Sequence, residues 1–331
     1  MEQRRWDRLG RELGVVGLGG WQIGADWGEV SDDDALTTLH AAADAGVTCF
    51  DTADVYGDGR SERLVGTMRA ERIADEEEPI FVATKLGRRA NPHVPEAFTR
   101  EAMAAWIDRS RANLGMDTLD LVQLHCPPTP VLADDAVFDA LDGFVAQGRI
   151  AAYGVSVETC AEALAAIQRP GVASVQIILN AFRRKPLEAV LPAAAAAGVA
   201  IIARVPLASG LLTGRYDEST TFPAGDHRNY NRHGEAFDVG ETFSGVPYDA
   251  GVQAAREIAA LTPPGWSTAQ LALRWVLDQP GVSVVIPGAR NARQALDNVV
   301  AAHLDPLPGA TLDAMADIYD HHIRRHVHDR W

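Results

Sequence analysis

Short apolar runs rich in β-forming residues alternate with helix-like segments along almost the whole chain. This alternation favours a parallel α/β fold. Eight such strands in succession suggest a closed (β/α)8 TIM barrel, formed as a single domain over residues 1–331. The expected strands are 15–23, 47–51, 80–85, 119–125, 150–156, 172–179, 199–205 and 282–286.

Helices are expected between the strands, and capping residues mark several of their ends. Ser31 is a candidate N-cap, and the aspartates that follow it suit the positive end of a helix. Gly115, Gly148 and Gly198 are placed to end helices. The helices that follow the first one are expected at about 61–68, 99–114, 134–147, 158–168, 186–197, 249–261, 267–278 and 292–302.

One connection, 215–247, breaks the alternation because it is long and polar. Long loops in compact domains are often lids over a functional site, or else they are disordered. We expect a lid here, and a mobile surface insertion is the alternative.

Polar side chains end three of the expected strands. Asp51 ends the run VTCFD, Lys85 ends IFVATK and His125 ends LDLVQLH, while Tyr56 lies in the turn after the first of these. Side chains alternate across a strand. The residues expected to share a face are Val47, Cys49 and Asp51; Phe81, Ala83 and Lys85; and Leu119, Leu121, Gln123 and His125. Since a parallel barrel gathers its strand ends at one rim, these groups predict a proton-transfer cluster.

Composition narrows the possible partners. The net charge of −15 argues against nucleic acid or an anionic membrane, because both require basic patches. The cysteines are Cys49, Cys126 and Cys160, and none forms a CxxC pair, so we expect free thiols in a reducing compartment. No signal peptide or membrane-spanning apolar run is visible. The expected setting is cytoplasmic, with the chain a monomer or a small homo-oligomer.

Several motifs together resemble the aldo-keto reductase family. They are DAGVTCFDTADVYGDGRSERLVG, VATKLG, LDLVQLHCP, GVS at 154–156, PLASGLLTG at 206–214 and IPGAR at 286–290. They occur in the family's order, and the similarity runs from about residue 14 to the last helices. This resemblance to bacterial-type, NADP-dependent members implies a (β/α)8 barrel and reversible reduction of aldehyde or ketone carbonyls.

The resemblance also implies a role for each polar residue at the rim. Lys85 stabilises the phenolate of Tyr56 and lowers its pKa, which is about 10 in a free tyrosine. Asp51 holds Lys85 in place, and His125 orients the carbonyl. Tyr56 then supplies a proton as hydride arrives from the nicotinamide. The alternative is a buried ion pair, a packed tyrosine and a core histidine without catalytic roles.

A larger set of residues is implied to bind the cofactor, NADP(H). Its members are Gly20, Trp21, Asp51, Ser156, Gln176, Arg204, Pro206, Leu207, Ser209, Gly210, Gly288, Arg290, Gln294, Asp297 and Asn298. Ser156 and Gln176 match residues that hold the nicotinamide carboxamide. Residues 206–210 match a pyrophosphate loop, and Gln294, Asp297 and Asn298 match the surroundings of the adenine.

The chain departs from the family pattern at several of these positions. Val157 replaces a common asparagine, and Arg204 replaces an aromatic residue, although a guanidinium plane also stacks. Gly288 and Gln294 stand where some relatives carry a lysine and an arginine for the 2′-phosphate. Arg290 and Arg293 supply that charge instead, which favours NADP over NAD.

The substrate is expected to be a small carbonyl compound or alcohol held by Trp21, Trp27, Tyr56 and His125. Two other functions stay open. One is a cofactor sensor or scaffold of the same fold, like the potassium-channel beta subunits. The other is a cofactor-free barrel lyase or hydrolase that uses the same polar cluster.

Two further motifs are assigned no function. The glycines of GLGGWQIG do not match G-x-G-x-x-G, because the third position is Gln22. The C-terminal run HHIRRHVHDR is interpreted as a solvated helix, and no metal site is expected.

Overall fold

Eight parallel strands curl into a barrel in the computed structural model, which describes residues 1–24 and 27–331. In chain order the strands are β1 (Gln3–Trp6), β2 (Arg11–Gly14), β3 (Leu18–Gly19), β4 (Cys49–Asp51), β5 (Phe81–Leu86), β6 (Leu121–His125), β7 (Tyr153–Ser156), β8 (Val172–Ile178), β9 (Ala200–Arg204) and β10 (Val284–Val285). Strands β3 to β10 pair in sequence order, and parallel bridges from Val16 to Val285 and from Gly19 to Gly288 join the two ends. The expected (β/α)8 architecture is therefore confirmed.

Helices follow the barrel strands and cover their outer face. They are α1 (Trp21–Gly24), α2 (Asp32–Asp44), α3 (Arg60–Ala74), α4 (Arg100–Leu114), α5 (Asp135–Ala146), α6 (Cys160–Ile167), α7 (Val190–Ala197), α8 (His227–Tyr230), α9 (Tyr248–Ala260), α10 (Thr268–Leu277), α11 (Ala292–Val300), α12 (Gly309–Ile318) and α13 (Arg324–Val327). Within the described residues, no helix has both the length and the apolar character needed to cross a bilayer.

Shorter helical turns connect several of these elements. The 3-10 turns are Asp7–Leu9, Pro95–Ala97, Thr129–Ala133, Lys185–Leu187, Ala208–Thr213, Val239–Glu241, Phe243–Gly245 and Ala301–His303, and Tyr319–Ile323 is a π turn.

Capping residues act largely as the sequence predicts. The Ser31 side chain accepts a hydrogen bond from the Asp34 N–H at the start of α2. Gly115 and Gly198 adopt the left-handed conformation at the ends of α4 and α7, which a side chain would disfavour.

The first and last barrel strands are shorter than predicted. The prediction 15–23 is wrong at its end, because the chain turns into helix α1 at Trp21. Strand β10 keeps only two of the five residues predicted at 282–286. In the first segment, glycines at 17, 19, 20 and 24 leave no side-chain pattern that would mark the end of the strand.

The predicted alternation of faces holds inside the strands and fails outside them. Cys49, Phe81, Ala83 and Leu121 belong to one apolar cluster inside the barrel, as parity requires. Val47 and Leu119 were expected on the same faces, but both pack in the larger core between strands and helices. Both residues precede the continuous register of β4 and β6, and Leu119 forms an isolated parallel bridge with Ile150. The alternation of faces inside the strands does not extend to them.

A hairpin of β1 and β2, which the sequence analysis did not predict, closes the N-terminal end of the barrel. Trp6 is buried there, 5.7 Å from the Phe81 ring, and belongs to the inner apolar cluster. The Arg8 guanidinium fixes the hairpin by donating to the carbonyl oxygens of Ala197, Arg169 and Val172.

Residues 215–247 fold over the opposite end, and many of their polar side chains are buried. Asp226, His227, Asn231 and Ser244 are each at most 1% exposed. The segment contains α8 and two 3-10 turns, so it is an ordered cover within the described structure.

The C-terminal segment packs back onto the barrel, and its interpretation as a solvated helix is wrong in part. His322 and His328 are buried, and His328 Nδ1 lies 2.8 Å from the Tyr319 hydroxyl. The Trp331 indole donates to Asp238 of the 215–247 segment. The apolar positions Val327 and Trp331 hold this helix against the core despite its many polar residues.

Candidate active site

The four polar residues predicted to cluster do so at the C-terminal rim of the barrel. Lys85 Nζ donates to Asp51 Oδ1 at 2.5 Å and lies 3.3 Å from the Tyr56 hydroxyl. The Tyr56 and His125 rings are 5.9 Å apart, edge to face. The arrangement links a carboxylate, an ammonium and a phenol in one hydrogen-bonded chain beside an imidazole.

Strand pairing places this chain of groups. β4 and β5 are paired with Asp51 opposite Ala83, so Lys85 extends one pleat beyond the carboxylate. Lys85 is fully buried and also donates to the Thr52 carbonyl at 2.8 Å. The second oxygen of Asp51 accepts from Gln176 at 2.7 Å and from Gln123 at 3.3 Å. Each partner of the buried pair is thus satisfied, as a buried ion pair requires.

Burial and neighbouring charges shift the pKa values of Tyr56, Lys85 and His125. Burial raises the pKa of Tyr56 above its ordinary value, although the Lys85 ammonium opposes the shift. Burial acts to lower the pKa of Lys85, and Asp51 more than offsets it, so that pKa is raised. The pKa of His125 lies well below its usual value because of burial and the nearby Arg88, so the imidazole is neutral. The expectation of a lowered phenol pKa is thus not met by these side chains alone.

The rim opens into a cavity of about 790 Å³, large enough for an extended ligand. Aromatic rings form one wall of it beside Tyr56. Trp21 lies 5.5 Å from Trp27, 5.9 Å from Phe237 and 6.1 Å from Tyr56, measured between ring centres. The cavity therefore offers an apolar surface next to the polar cluster.

Most residues predicted to bind cofactor or substrate line this cavity. They are Trp21, Trp27, Asp51, Tyr56, His125, Gln176, Arg204, Pro206, Leu207, Ser209, Gly210, Gly288, Arg290, Arg293, Gln294, Asp297 and Asn298. Gly20 and Ser156 are buried behind the lining instead. The Gly20 N–H donates to the Asp51 carbonyl, and the Ser156 hydroxyl lies 3.8 Å from Cys126 Sγ.

Arg204 is fixed by carboxylates from two directions. It pairs with Glu241 at 2.6 Å and with Glu158 at 2.9 Å, and it donates to the Val157 carbonyl at 2.9 Å. These contacts hold the guanidinium plane rigidly in the lining, while its Nε–H has no partner among the described residues. Glu241 belongs to the 215–247 segment, so the same ion pair fastens that segment to the barrel.

The loop after β9 contains unusual backbone. Val205, Ala208 and Ser209 all have positive φ angles between 47° and 53°, which is rare for residues other than glycine. Strain of this kind concentrates at ligand-binding sites. The Ser209 hydroxyl donates to the Glu241 carbonyl and accepts from the Phe243 N–H, so it connects this loop to the 215–247 segment.

The far end of the cavity has the features of an anion site. Helix α11 begins there with Asn291 as its N-cap, and Arg290 and Arg293 flank that start. Helix N-termini and guanidinium groups both bind phosphate. The donor set therefore fits a phosphorylated dinucleotide that reaches from this end to Tyr56.

Sequence reasoning missed Arg88, Phe237 and Glu241, which also line the cavity. Phe237 and Glu241 lie in a segment without periodic pattern, so nothing local marks them as inward-facing. Arg88 follows Lys85 by three residues, and its position just beyond a rim strand was the one available signal.

Comparison with known proteins agrees with the geometry. A family model described as the aldo/keto reductase family matches residues 15–320. Aldo-keto reductase YhdN of Bacillus subtilis (strain 168) is 31% identical over 287 residues, which cover 86% of this chain and 84% of that protein.

Solved structures resemble the chain over nearly its full length. Glycerol dehydrogenase AKR11B4 of Gluconobacter oxydans has a TM-score of 0.77 and 29% identity, covering 99% of this chain and 97% of its own. An aldo/keto reductase of Klebsiella pneumoniae, solved in complex with NADP and acetate, has a TM-score of 0.69 and 23% identity, with coverage of 94% and 93%. This last likeness supports the fold alone. From the family model and the identity to YhdN, the chain belongs to the aldo/keto reductase family.

Proposed function

We propose that this protein is an NADP(H)-dependent oxidoreductase that reduces aldehyde or ketone carbonyls and runs in reverse on alcohols. The observation that carries the proposal is the contact of Lys85 Nζ with both Asp51 and the Tyr56 hydroxyl, at the floor of a cavity with an anion site at its far end. Family membership supports the reaction class.

Tyr56 is the proposed proton donor. Its hydroxyl is the acidic group next to Lys85 in the cavity lining, and the ammonium stabilises the phenolate that remains after proton transfer. Because burial raises the phenol pKa, the charge of Lys85 offsets a cost that would otherwise make the donor too weak. Asp51 keeps Lys85 charged and in place.

His125 is proposed to orient the substrate. A neutral imidazole donates one N–H, and its ring lies edge-on to Tyr56 on the same side of the cavity. A hydrogen bond from His125 to the carbonyl oxygen would align that oxygen with the phenol. It would also stabilise the negative charge that develops there.

The cofactor, when bound, supplies the hydride. Arg290 and Arg293, with the N-terminus of α11, would hold its phosphate groups, and residues 206–210 would follow its pyrophosphate. Gln176 already donates its amide N–H to Asp51, so its role towards a carboxamide would be through the oxygen. Ser156 is buried behind the cavity lining, so it would have to reach the carboxamide from there.

The test is steady-state turnover of 4-nitrobenzaldehyde with NADPH or NADH, followed by loss of reduced cofactor. We expect consumption of NADPH and appearance of the alcohol in equal amounts. Quenching of tryptophan fluorescence by NADPH without turnover of a carbonyl panel would favour a sensor or scaffold. The absence of both turnover and quenching would contradict the proposed cofactor site.

A further inference from the structure

The catalytic end of the cavity contains a cation, Arg88, that has no role in the proposed reaction. Arg88 follows β5 and lines the cavity together with Tyr56 and His125. It is close enough to His125 to contribute to the lowered pKa of that imidazole. Because Arg88 lines the same cavity as Tyr56 and His125, it faces the space that a substrate at the proton donor would enter.

The contacts of Arg88 leave its donors largely unused. Among described residues its ion-pair partner is Glu241, and that contact is long, at 3.9 Å. Glu241 is committed to Arg204, with which it forms a 2.6 Å ion pair. Among the described residues, no acceptor lies at hydrogen-bonding distance and angle from the Arg88 guanidinium. A guanidinium has five N–H donors, so Arg88 retains the capacity to bind a further anion.

The charge of the cavity also favours an anionic ligand. The chain as a whole has a net charge of −15, yet the described lining residues include twice as many arginines as carboxylates. The arginines are Arg88, Arg204, Arg215, Arg228, Arg290 and Arg293, and the carboxylates are Asp51, Glu241 and Asp297. Arg290 and Arg293 lie at the proposed phosphate end, and Arg228 pairs with Asp226 at 2.5 Å. Arg204 is tightly paired, whereas the ion pair of Arg88 is the long contact with Glu241.

Aromatic rings lead from Arg88 towards the proton donor. The guanidinium carbon lies 5.7 Å from the centre of the Phe237 ring, which is 5.9 Å from that of Trp21. Trp21 in turn stacks against Tyr56. A ligand with an anionic end at Arg88 would thus lay an apolar body along these rings, with its reactive end near the phenol.

We propose that Arg88 binds a carboxylate of the substrate, so that the favoured substrates are carbonyl compounds with an apolar or aromatic body and a carboxylate group. The planar guanidinium matches a carboxylate in a two-point hydrogen bond. This inference rests on the proposed carbonyl reduction, because it names the substrate class of the same site. Arg88 determines specificity and takes no part in proton or hydride transfer.

The test compares 4-carboxybenzaldehyde with 4-carbamoylbenzaldehyde, which has a similar shape and no charge. In Arg88→Met we expect kcat/KM for the carboxylate to fall about 10- to 100-fold, mainly through KM, with little change for the amide. Arg88→Lys should recover part of the loss, because it restores the charge without the planar fork. The matched control is Arg89→Met, since the adjacent Arg89 pairs with Asp58 and does not line the described cavity.

A second measurement separates this inference from the proposed function. Titration of benzoate into the protein by calorimetry requires no turnover. Binding to the wild type and to Arg89→Met, with none to Arg88→Met, would support the carboxylate site even if no aldehyde were reduced. Equal benzoate binding by all three proteins would overturn it. So would an equal loss of kcat/KM for both aldehydes in Arg88→Met, which would indicate a structural role.

Discussion

The two ends of the barrel use the same inward-facing positions for opposite purposes. At the N-terminal end these positions are apolar, with Phe81 and Leu121 packed under Trp6 of the hairpin. A few residues further along the same strands, the inward positions are Lys85 and His125. The closed end buries apolar surface and stabilises the fold, whereas the open end buries charge.

Burial contributes differently to stability at the two ends. Apolar side chains gain free energy when they leave water, so the closed end contributes to stability. A buried ion pair such as Asp51–Lys85 regains its desolvation cost only through good geometry, so it adds little net stability. Together with the strained loop after β9, this indicates that the open end was arranged for chemistry. We therefore expect substitutions at the closed end to change stability and substitutions at the open end to change turnover.

Removing the charge of Lys85 gives the largest expected effect. In Lys85→Met the phenol loses the cation that opposes its raised pKa, and we expect turnover at neutral pH to fall about 10²- to 10⁴-fold. The chain has one other lysine, Lys185, in a turn before α7. Lys185→Met is the matched control and should keep wild-type turnover. Activity of folded Lys85→Met near that of the wild type would contradict the coupling of Lys85 to Tyr56.

A substitution at the closed end should give the opposite result. Trp6→Ala leaves a void against Phe81, and we expect unfolding free energy to fall by about 3–5 kcal/mol. Turnover per folded molecule should stay unchanged, because Trp6 lies at the end remote from Tyr56. Urea unfolding and kinetics on the same sample measure both quantities. If Trp6→Ala lost turnover without losing stability, the closed end would contribute to catalysis, which would contradict the separation of roles between the two ends.

The barrel and its rim cluster could be predicted from the sequence, whereas the N-terminal hairpin could not. The (β/α)8 order and the meeting of Asp51, Lys85 and His125 followed from strand periodicity, because side-chain parity and parallel pairing are local rules. The hairpin was missed because its strands have four residues each and mix charged with apolar residues.

The cover of the cavity shows the limit of local rules. Its placement depends on contacts between distant residues, such as Glu241 with Arg204 and Asp238 with Trp331. The spacing of polar and apolar residues within 215–247 does not indicate that Glu241 and Asp238 have these distant partners. The lowered phenol pKa was an expectation from charge alone, and it neglected the desolvation that a buried tyrosine undergoes.

The stability of the open end is expected to depend on pH because of Asp54. Its carboxyl is buried, and neither oxygen has a hydrogen-bond partner among the described residues. Burial raises its pKa from 3.8 to about 7, and Glu62 adds to the shift. The folded state therefore binds a proton that the unfolded state has released, and stability falls as pH rises from about 4 to about 7.

Asp54→Asn should remove this fall and raise the unfolding free energy by about 2–4 kcal/mol near pH 8. Urea unfolding near pH 5 and near pH 8 gives the slope. Asp58→Asn is the control in the same turn, because Arg89 lowers the pKa of exposed Asp58 and keeps it ionised at both pH values. If the unfolding free energy of Asp54→Asn fell with pH as steeply as that of the wild type, the pH dependence would come from a group other than Asp54.

The smallest effect is expected at the far end of the cavity. Arg290→Ala should weaken NADPH about 10-fold, the cost of one charge-assisted phosphate contact, and leave NADH affinity nearly unchanged. Arg293→Ala makes a useful comparison, since the Arg293 side chain is 91% exposed. Fluorescence titration with each reduced cofactor provides the affinities. Equal weakening of NADPH and NADH by Arg290→Ala would remove that residue from the 2′-phosphate site.

The most direct test of the open end is Tyr56→Phe, which deletes one hydroxyl and keeps the ring that stacks on Trp21. Stopped-flow mixing with NADPH and an aldehyde would report hydride transfer, and tryptophan quenching would report cofactor binding. We expect transfer to slow about 10²- to 10⁴-fold while NADPH binds as in the wild type. Transfer at the wild-type rate would show that the proton comes from another group and would contradict the assignment of the rim cluster.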